Sequence, residues 1–206
     1  MNNLCYLFGT PLWMSEETYD ISEEELSYIQ HLHDVGCETL VSGPSGNQTT
    51  EEDELLNDPN LSGIRDFCDR QLKTYFYDIM KVVDETELYI TQSWVNFNFP
   101  GVGHARHHHS NSILSAVFYV QTNGTPINFF RTHKTFPLEF EYKEYNNLNA
   151  FKWWYSTVPG KVMIFPSLTE HDVDDNSSDE KRISIAMNTF VRGRIGNFPG
   201  KFAVKL

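Results

Sequence analysis

A chain of 206 residues with 40% hydrophobic and 14% aromatic content can bury one sizeable core, which excludes disorder of the whole and favours a single domain. Its 28 acidic residues against 16 basic ones leave a net charge of −12, which opposes a phosphate backbone and argues against general nucleic-acid binding. Three cysteines, Cys5, Cys37 and Cys68, form no Cys-x-x-Cys pair, no secretory signal opens the chain and the apolar runs are strand-sized, so the expected protein is cytoplasmic and spans no membrane.

In chain order, "ISEEELSYIQHLHDVG" predicts a first helix. Ser22 is its N-cap, Glu25 completes a capping box three residues on, and Gly36 is the stop. His31 and His33 lie on this helix and either pack or face water. Residues 43–54, "GPSGNQTTEEDE", are polar and read as an exposed, mobile loop. Ile64, Phe67, Cys68, Leu72, Tyr75, Phe76, Ile79, Met80 and Val83 then recur at helical spacing. That spacing predicts one long amphipathic helix backing a sheet.

From about Leu88 the period falls to two. "ELYITQSWVNFNF" alternates, with Tyr89, Thr91, Ser93, Val95 and Phe97 on one side. "ILSAVFYV", "PINFFR", "KVMIF" and "KRISIAMNTFV" follow, separated by turn signals such as "TNGTP", "VPGK" and "DNSSDE". Strands after helices suggest α+β, with an antiparallel sandwich or barrel. Residues 136–155 are aromatic-rich without a clear period and read as an insertion or lid. Trp153, Trp154 and Tyr155 cover the site there or join the core.

Two stretches carry chemistry. "GHARHHHS" places four histidines within six residues, and on extended backbone His107 and His109 project to one side, where both imidazoles can reach one metal. Downstream, His171 follows "KVMIF", and the next strand puts Arg182, Ser184, Ala186 and Asn188 on one face. There a guanidinium can fork onto a carboxylate and a serine hydroxyl can add a hydrogen bond, a pairing suited to a small dicarboxylate. Each feature also has an ordinary reading. Histidine loops are commonly solvated, His171 beside aspartates suits a surface, and Arg182 could pair with Asp179 or Glu180 for little energy. His104, His108 and His133 read as surface residues or as neighbours of the ligands.

The ten residues between His171 and "Arg182-Ile183-Ser184", with the histidine pair upstream, resemble the 2-oxoglutarate/Fe(II)-dependent oxygenase superfamily. More narrowly, "HHHSNSILSAVFYV" is similar to an uncharacterised subgroup of bacteria and phages with a His-x-His…His…Arg-x-Ser pattern. Here Ser110, Ala116 and Phe118 replace that subgroup's proline, glycine and first tyrosine. The resemblance covers roughly Leu88 to Val191.

It implies a double-stranded β-helix (jelly roll) with N-terminal helices packed on the major sheet. The whole would be a single domain, 1–206, with helical support over 1–87 and the core over 88–206. It also implies Fe(II) on His107, His109 and His171, and 2-oxoglutarate held by Arg182 and Ser184, with Tyr119 and Asn96 as weaker candidates for that co-substrate.

The usual second ligand is a carboxylate, and His109 stands in its place. A three-histidine site, a carboxylate from Asp172 or Asp174, and a water ligand with His109 on substrate all remain open. The implied activity is O₂-dependent hydroxylation of a peptidyl side chain, as in prolyl hydroxylases, or of a small amino-acid-type substrate. Alternatives are a cupin-like three-histidine metalloprotein that does not use 2-oxoglutarate and a non-catalytic viral jelly-roll binding protein.

Overall fold

The structure, a computed structural model, describes residues 9–35, 46–132, 137–196 and 203–206 and the backbone of 37–39. Gly36, His133 and residues 43–45 lie outside the described residues. In chain order the elements are β1 (Trp13–Met14), α1 (Glu23–Val35), β2 (Cys37–Thr39), β3 (Gln48–Thr50), α2 (Ser62–Lys73), β4 (Thr86–Asn98), β5 (His104–His107), β6 (Leu114–Gln121), β7 (Ile127–Phe130), β8 (Lys152–Tyr155), β9 (Val162–Pro166), β10 (His171–Val173), β11 (Arg182–Ile195) and β12 (Val204–Lys205).

The strands form two antiparallel sheets. The major sheet runs β1-β9-β6-β11-β4-β3-β2, with β12 on the end of β11. The minor sheet runs β5-β10-β7-β8. This is the double-stranded β-helix, α+β and mostly strand, with the helices against the outer face of the major sheet. On that face Val95, Phe97, Phe118, Ile164, Ile183, Ile185 and Met187 pack against Ile64, Phe67, Cys68 and Leu72 of α2. The opposite face looks toward the minor sheet. There Tyr119, Met163 and Phe165 meet Ile127, with Phe129 and Tyr155 packed alongside. No helix among the described residues is long and apolar enough to cross a membrane.

The capping box forms as written. Ser22 N–H donates to Glu25 Oε2 at 3.0 Å, and Glu25 N–H donates to Ser22 Oγ at 3.1 Å. His33 packs on Phe97 and Phe99, while His31 is exposed.

Four expectations need correction. The single long helix is α2 followed by a π-helical turn, Thr74–Ile79, with Lys81 just beyond it at φ +58°. The wider turn ends the helix at Ile79, so Met80 and Val83 fall outside it and, with Ile79, face solvent. Residues 47–50 are not an exposed loop, because β3 pairs with β4 and Asn47, Thr49 and Thr50 are buried, whereas residues 51–54 are exposed as expected. Thr50 accepts from Val95 N–H at 3.1 Å and Asn47 Nδ2 donates to Asn96 Oδ1 at 3.4 Å, so most of this polar sequence is bonded to β4. The alternation of β4 breaks at Thr91, where the register with β11 skips a residue; Leu88 and Ile90 therefore share the helix-facing side with Ser93, Val95 and Phe97. Finally, Lys152–Tyr155 is a strand on β7, with Trp154 exposed and Tyr155 half-buried against the inner core.

Phe118 is fully buried, with its ring edge-on to Tyr19 and Phe67 at 6.1 and 6.0 Å. Phe118→Ala is expected to cost about 3–5 kcal/mol in chemical denaturation, since the void lies where sheet and helix cannot collapse together.

Candidate metal centre

Two strands of the minor sheet carry two of the histidines. His107 on β5 lies directly opposite His171 on β10, so their side chains share a face, with ring centroids 4.3 Å apart. The approach of β5 depends on Gly103. A Cβ there would meet Val173 O at 2.6 Å, so a side chain would hold the strands apart. His109 lies beyond the end of β5, where its N–H donates to Ser167 O at 2.9 Å. Its ring comes within 5.1 and 5.3 Å of those of His107 and His171, and Trp94 stacks on it at 5.9 Å.

One ring nitrogen from each of the three histidines lies within 4.8 Å of the other two. Hydrogen bonding determines which nitrogen is available. His107 Nδ1 donates to Ala105 O at 2.7 Å and His171 Nδ1 donates to Thr169 O at 2.9 Å, each to the carbonyl two residues back. A carbonyl can only accept, so Nδ1 carries the proton and Nε2 keeps its lone pair. His109 Nδ1 contacts Asn188 Oδ1 at 2.5 Å, with the same result. Three neutral imidazoles thus offer three Nε2 lone pairs. A first-row metal about 2.1 Å from each needs nitrogens roughly 3 Å apart, an inward movement of about an ångström per ring.

Among the described residues no carboxylate joins this group. Alternation on β10 turns Asp172 away from His171, and Asn128 Nδ2 donates to Asp172 Oδ1 and Asp174 Oδ1 at 2.7 and 2.9 Å. Asp174 also receives Lys152 Nζ at 3.0 Å. Of the two readings of His104 the structure bears out the neighbour of a ligand, since its ring stacks on His107 at 4.4 Å. His108 is exposed.

The second half of the site lies on the inner face of the major sheet. Antiparallel pairing puts Arg182 opposite Asn98, and Ser184 opposite both Asn96 and Tyr119, so all five share that face. Arg182 is 3% exposed, and its guanidinium lies over the Tyr119 ring at 5.4 Å. Arg182 Nη1 donates to Asn98 Oδ1 at 3.1 Å, and Asn98 is held in that orientation because its Nδ2 donates to Gly103 O at 2.8 Å. Ser184 Oγ lies 3.5 Å from the same nitrogen.

Arg182 Nε and the Tyr119 hydroxyl are both buried and make no hydrogen bond of normal geometry, although the phenol and the guanidinium lie close enough to interact with each other, and none of the described ion pairs involves this guanidinium. A buried cation without an anion costs several kcal/mol, and the unmet donors mark where a carboxylate fits. Asn96 faces this region but accepts from Asn47 Nδ2 at 3.4 Å. Asn98 was not singled out from the sequence. The polar members of "QSWVNFN", Gln92, Asn96 and Asn98, sit at period two, and that was the available signal.

Burial pushes the pKa of His171 down to about 3, with neighbouring His107 adding to the effect, and burial does the same for His104. Burial also lowers His107 and His109. A depressed imidazole pKa means that the unfolded chain binds more protons at mildly acid pH. Stability is therefore full above about 6.5 and falls as pH drops toward 3. Thermal melts of metal-free protein should show that loss below pH 6.5, with a shallower slope in His171→Gln.

Residues 92–188, just under half of the chain, match the family described as "Putative 2OG-Fe(II) oxygenase". No curated protein matches the sequence. Among solved structures, the non-heme alpha ketoglutarate dependent epimerase SnoN from nogalamycin biosynthesis aligns over 96% of this chain and 86% of its own, with TM-score 0.62 at 14% identity. A prolyl-4-hydroxylase from Pseudomonas putida aligns over 90% and 94%, with TM-score 0.56 at 12% identity. A 2OG-Fe(II) oxygenase family oxidoreductase from Burkholderia pseudomallei aligns over 86% and 84%, with TM-score 0.58 at 15% identity. At these identities the structural likeness is one of fold. The matched stretch opens on β4 and closes on β11, and so takes in both the histidine cluster and the guanidinium pocket. Residues 92–188 thus match the 2-oxoglutarate/Fe(II)-dependent oxygenase family, and the fold of the chain is the one its solved members share.

Proposed function

We propose that the protein is an Fe(II)- and 2-oxoglutarate-dependent dioxygenase that hydroxylates a peptidyl side chain or a small amino-acid-type substrate. The observation that carries this reading is the buried Arg182, without an anionic partner among the described ion pairs, on the sheet face that looks toward three Nε2 lone pairs. His107, His109 and His171 would hold the metal. Arg182 and Ser184 would hold the far carboxylate of the co-substrate, and the Tyr119 hydroxyl, close to the guanidinium, would donate to it. Asn98 keeps the guanidinium aimed. Bound there, iron(II) and 2-oxoglutarate supply the oxidation, in which O₂ is consumed, CO₂ and succinate leave, and a substrate C–H bond becomes C–OH.

With three neutral ligands the site lacks the negative charge a carboxylate ligand brings, so the metal centre stays one unit more positive. That raises the iron potential and strengthens attraction for a dianionic co-substrate. The fold likeness to a prolyl-4-hydroxylase supports a peptidyl substrate, and the likeness to SnoN supports a small molecule. Exposed Leu138, Phe140, Tyr145 and Phe151, in the segment leading into β8, would contribute to that choice. A cupin-like centre that does not use 2-oxoglutarate has no task for the Arg182 cation.

The test is anaerobic titration of Fe(II)-loaded protein with 2-oxoglutarate, read by the visible charge-transfer band of the chelate. The band is expected in wild type and in His108→Ala and absent in His171→Ala; metal binding with no band would reject the reading. Arg182→Met is expected to weaken 2-oxoglutarate binding by roughly 2–5 kcal/mol, at least about 30-fold. The same variant should leave metal-free stability unchanged or raise it by about 1–4 kcal/mol, because it removes an uncompensated buried charge.

A further inference from the structure

Behind His109 runs a chain of hydrogen bonds that ends on a carboxylate. His109 Nδ1 meets Asn188 Oδ1 at 2.5 Å, Asn188 Nδ2 donates to Gln92 Oε1 at 3.2 Å, and Gln92 Nε2 donates to Asp53 Oδ2 at 3.2 Å. Asp53 is fixed beside β4 because Ser93 N–H donates to its carbonyl at 2.6 Å. Asn188 and Gln92 face each other across the β11–β4 pair, just before the Thr91 irregularity. The Ser115 hydroxyl also points at Asn188 Oδ1, at 3.4 Å.

We propose that Asp53, Gln92 and Asn188 are positioning residues that set the tautomer of His109, so that the histidine standing where the superfamily has a carboxylate ligand presents Nε2 to the metal. The proposal rests on the reading of the site given above.

Hydrogen-bond polarity orients each member of the chain. A carboxylate only accepts, so Asp53 draws the amide nitrogen of Gln92 toward itself. Gln92 then offers its oxygen to Asn188. Asn188 in turn shows its nitrogen to Gln92 and its oxygen to His109. An oxygen facing Nδ1 requires Nδ1–H, which frees Nε2. Reversing Asn188 would put an N–H against Nδ1, move the ring proton to Nε2 and close that nitrogen to metal, and reversing Gln92 would favour that change by setting its own N–H against Asn188 Nδ2. His107 and His171 need no such chain because a backbone carbonyl two residues back fixes each. Only His109 depends on a side chain that could face either way, and the chain behind it resolves that ambiguity. Partners of this kind commonly change metal affinity 10- to 100-fold when removed.

Two measurements test this. Long-range ¹H–¹⁵N NMR of the metal-free protein reads the His109 tautomer directly. Wild type should be protonated on Nδ1, whereas Asp53→Lys, which offers only donors, should shift the population toward Nε2–H. Ni(II) or Co(II) titration reads the consequence. Asn188→Leu should weaken binding about 10- to 100-fold. Asn188→Asp, which still accepts from Nδ1–H, should stay within about threefold of wild type, and the metal-free melting temperatures should match. A wild-type His109 protonated on Nε2 overturns the proposal, as does an Asn188→Leu variant that binds metal as tightly as wild type. Equal losses in Asn188→Asp and Asn188→Leu would assign the residue a packing role and also reject it. A wild-type protein that binds no divalent metal would overturn the metal reading itself, an outcome distinct from an unchanged Asn188→Leu.

Discussion

Strand β11 is the constraint on which the rest depends. Its antiparallel pairing with β4 and β6 obliges successive side chains to opposite faces. Ile183, Ile185 and Met187 go into the apolar layer under α2, while Arg182, Ser184 and Asn188 go to the inner face. The burial that stabilises the sheet is therefore what holds a guanidinium at one end of the site and the hydrogen-bond partner of His109 at the other. A slip of one residue would exchange the faces, placing three large apolar side chains in the site and an arginine in the core, so the register is strongly specified.

The minor sheet supplies the other half by a different device. β5 and β10 are short, and they bring His107 and His171 face to face by direct cross-strand pairing. Each ring is then oriented by its own backbone. This is local and robust, since the acceptor is two residues away in the same strand end. The cost of the arrangement falls on the inner face, where a cation, a phenol and three imidazoles are removed from water before any ligand arrives. Preorganised sites carry such local strain because the binding partner relieves it.

Local patterns were legible in the sequence and non-local polar ones were not. The capping box at Ser22 and the two faces of β11 could be read directly, because each depends on residues a few positions apart. The histidine cluster was legible as a spacing, and the link from His171 to Arg182 as a resemblance. β3 was not, because its threonines and Asn47 look like loop residues until the polar surface they face is known. The Thr91 irregularity was hidden because a bulge is a property of the strand pair and leaves no mark on one strand alone. The partnership of Asp53, Gln92, Asn188 and His109 spans four separate segments, and no periodicity connects them. His104 was indistinguishable from His108 by type and neighbourhood, and only the irregular β5–β10 register turns it onto His107.

The central claim is that three imidazoles, with no carboxylate, and one buried guanidinium together bind a metal and a dicarboxylate. A crystal structure of the protein loaded anaerobically with Fe(II) and 2-oxoglutarate tests it most directly. The account predicts Nε2 of His107, His109 and His171 on the metal and the far carboxylate of 2-oxoglutarate on Arg182. Metal coordinated by an aspartate or glutamate in place of His109, or a co-substrate carboxylate bound away from Arg182, would contradict it.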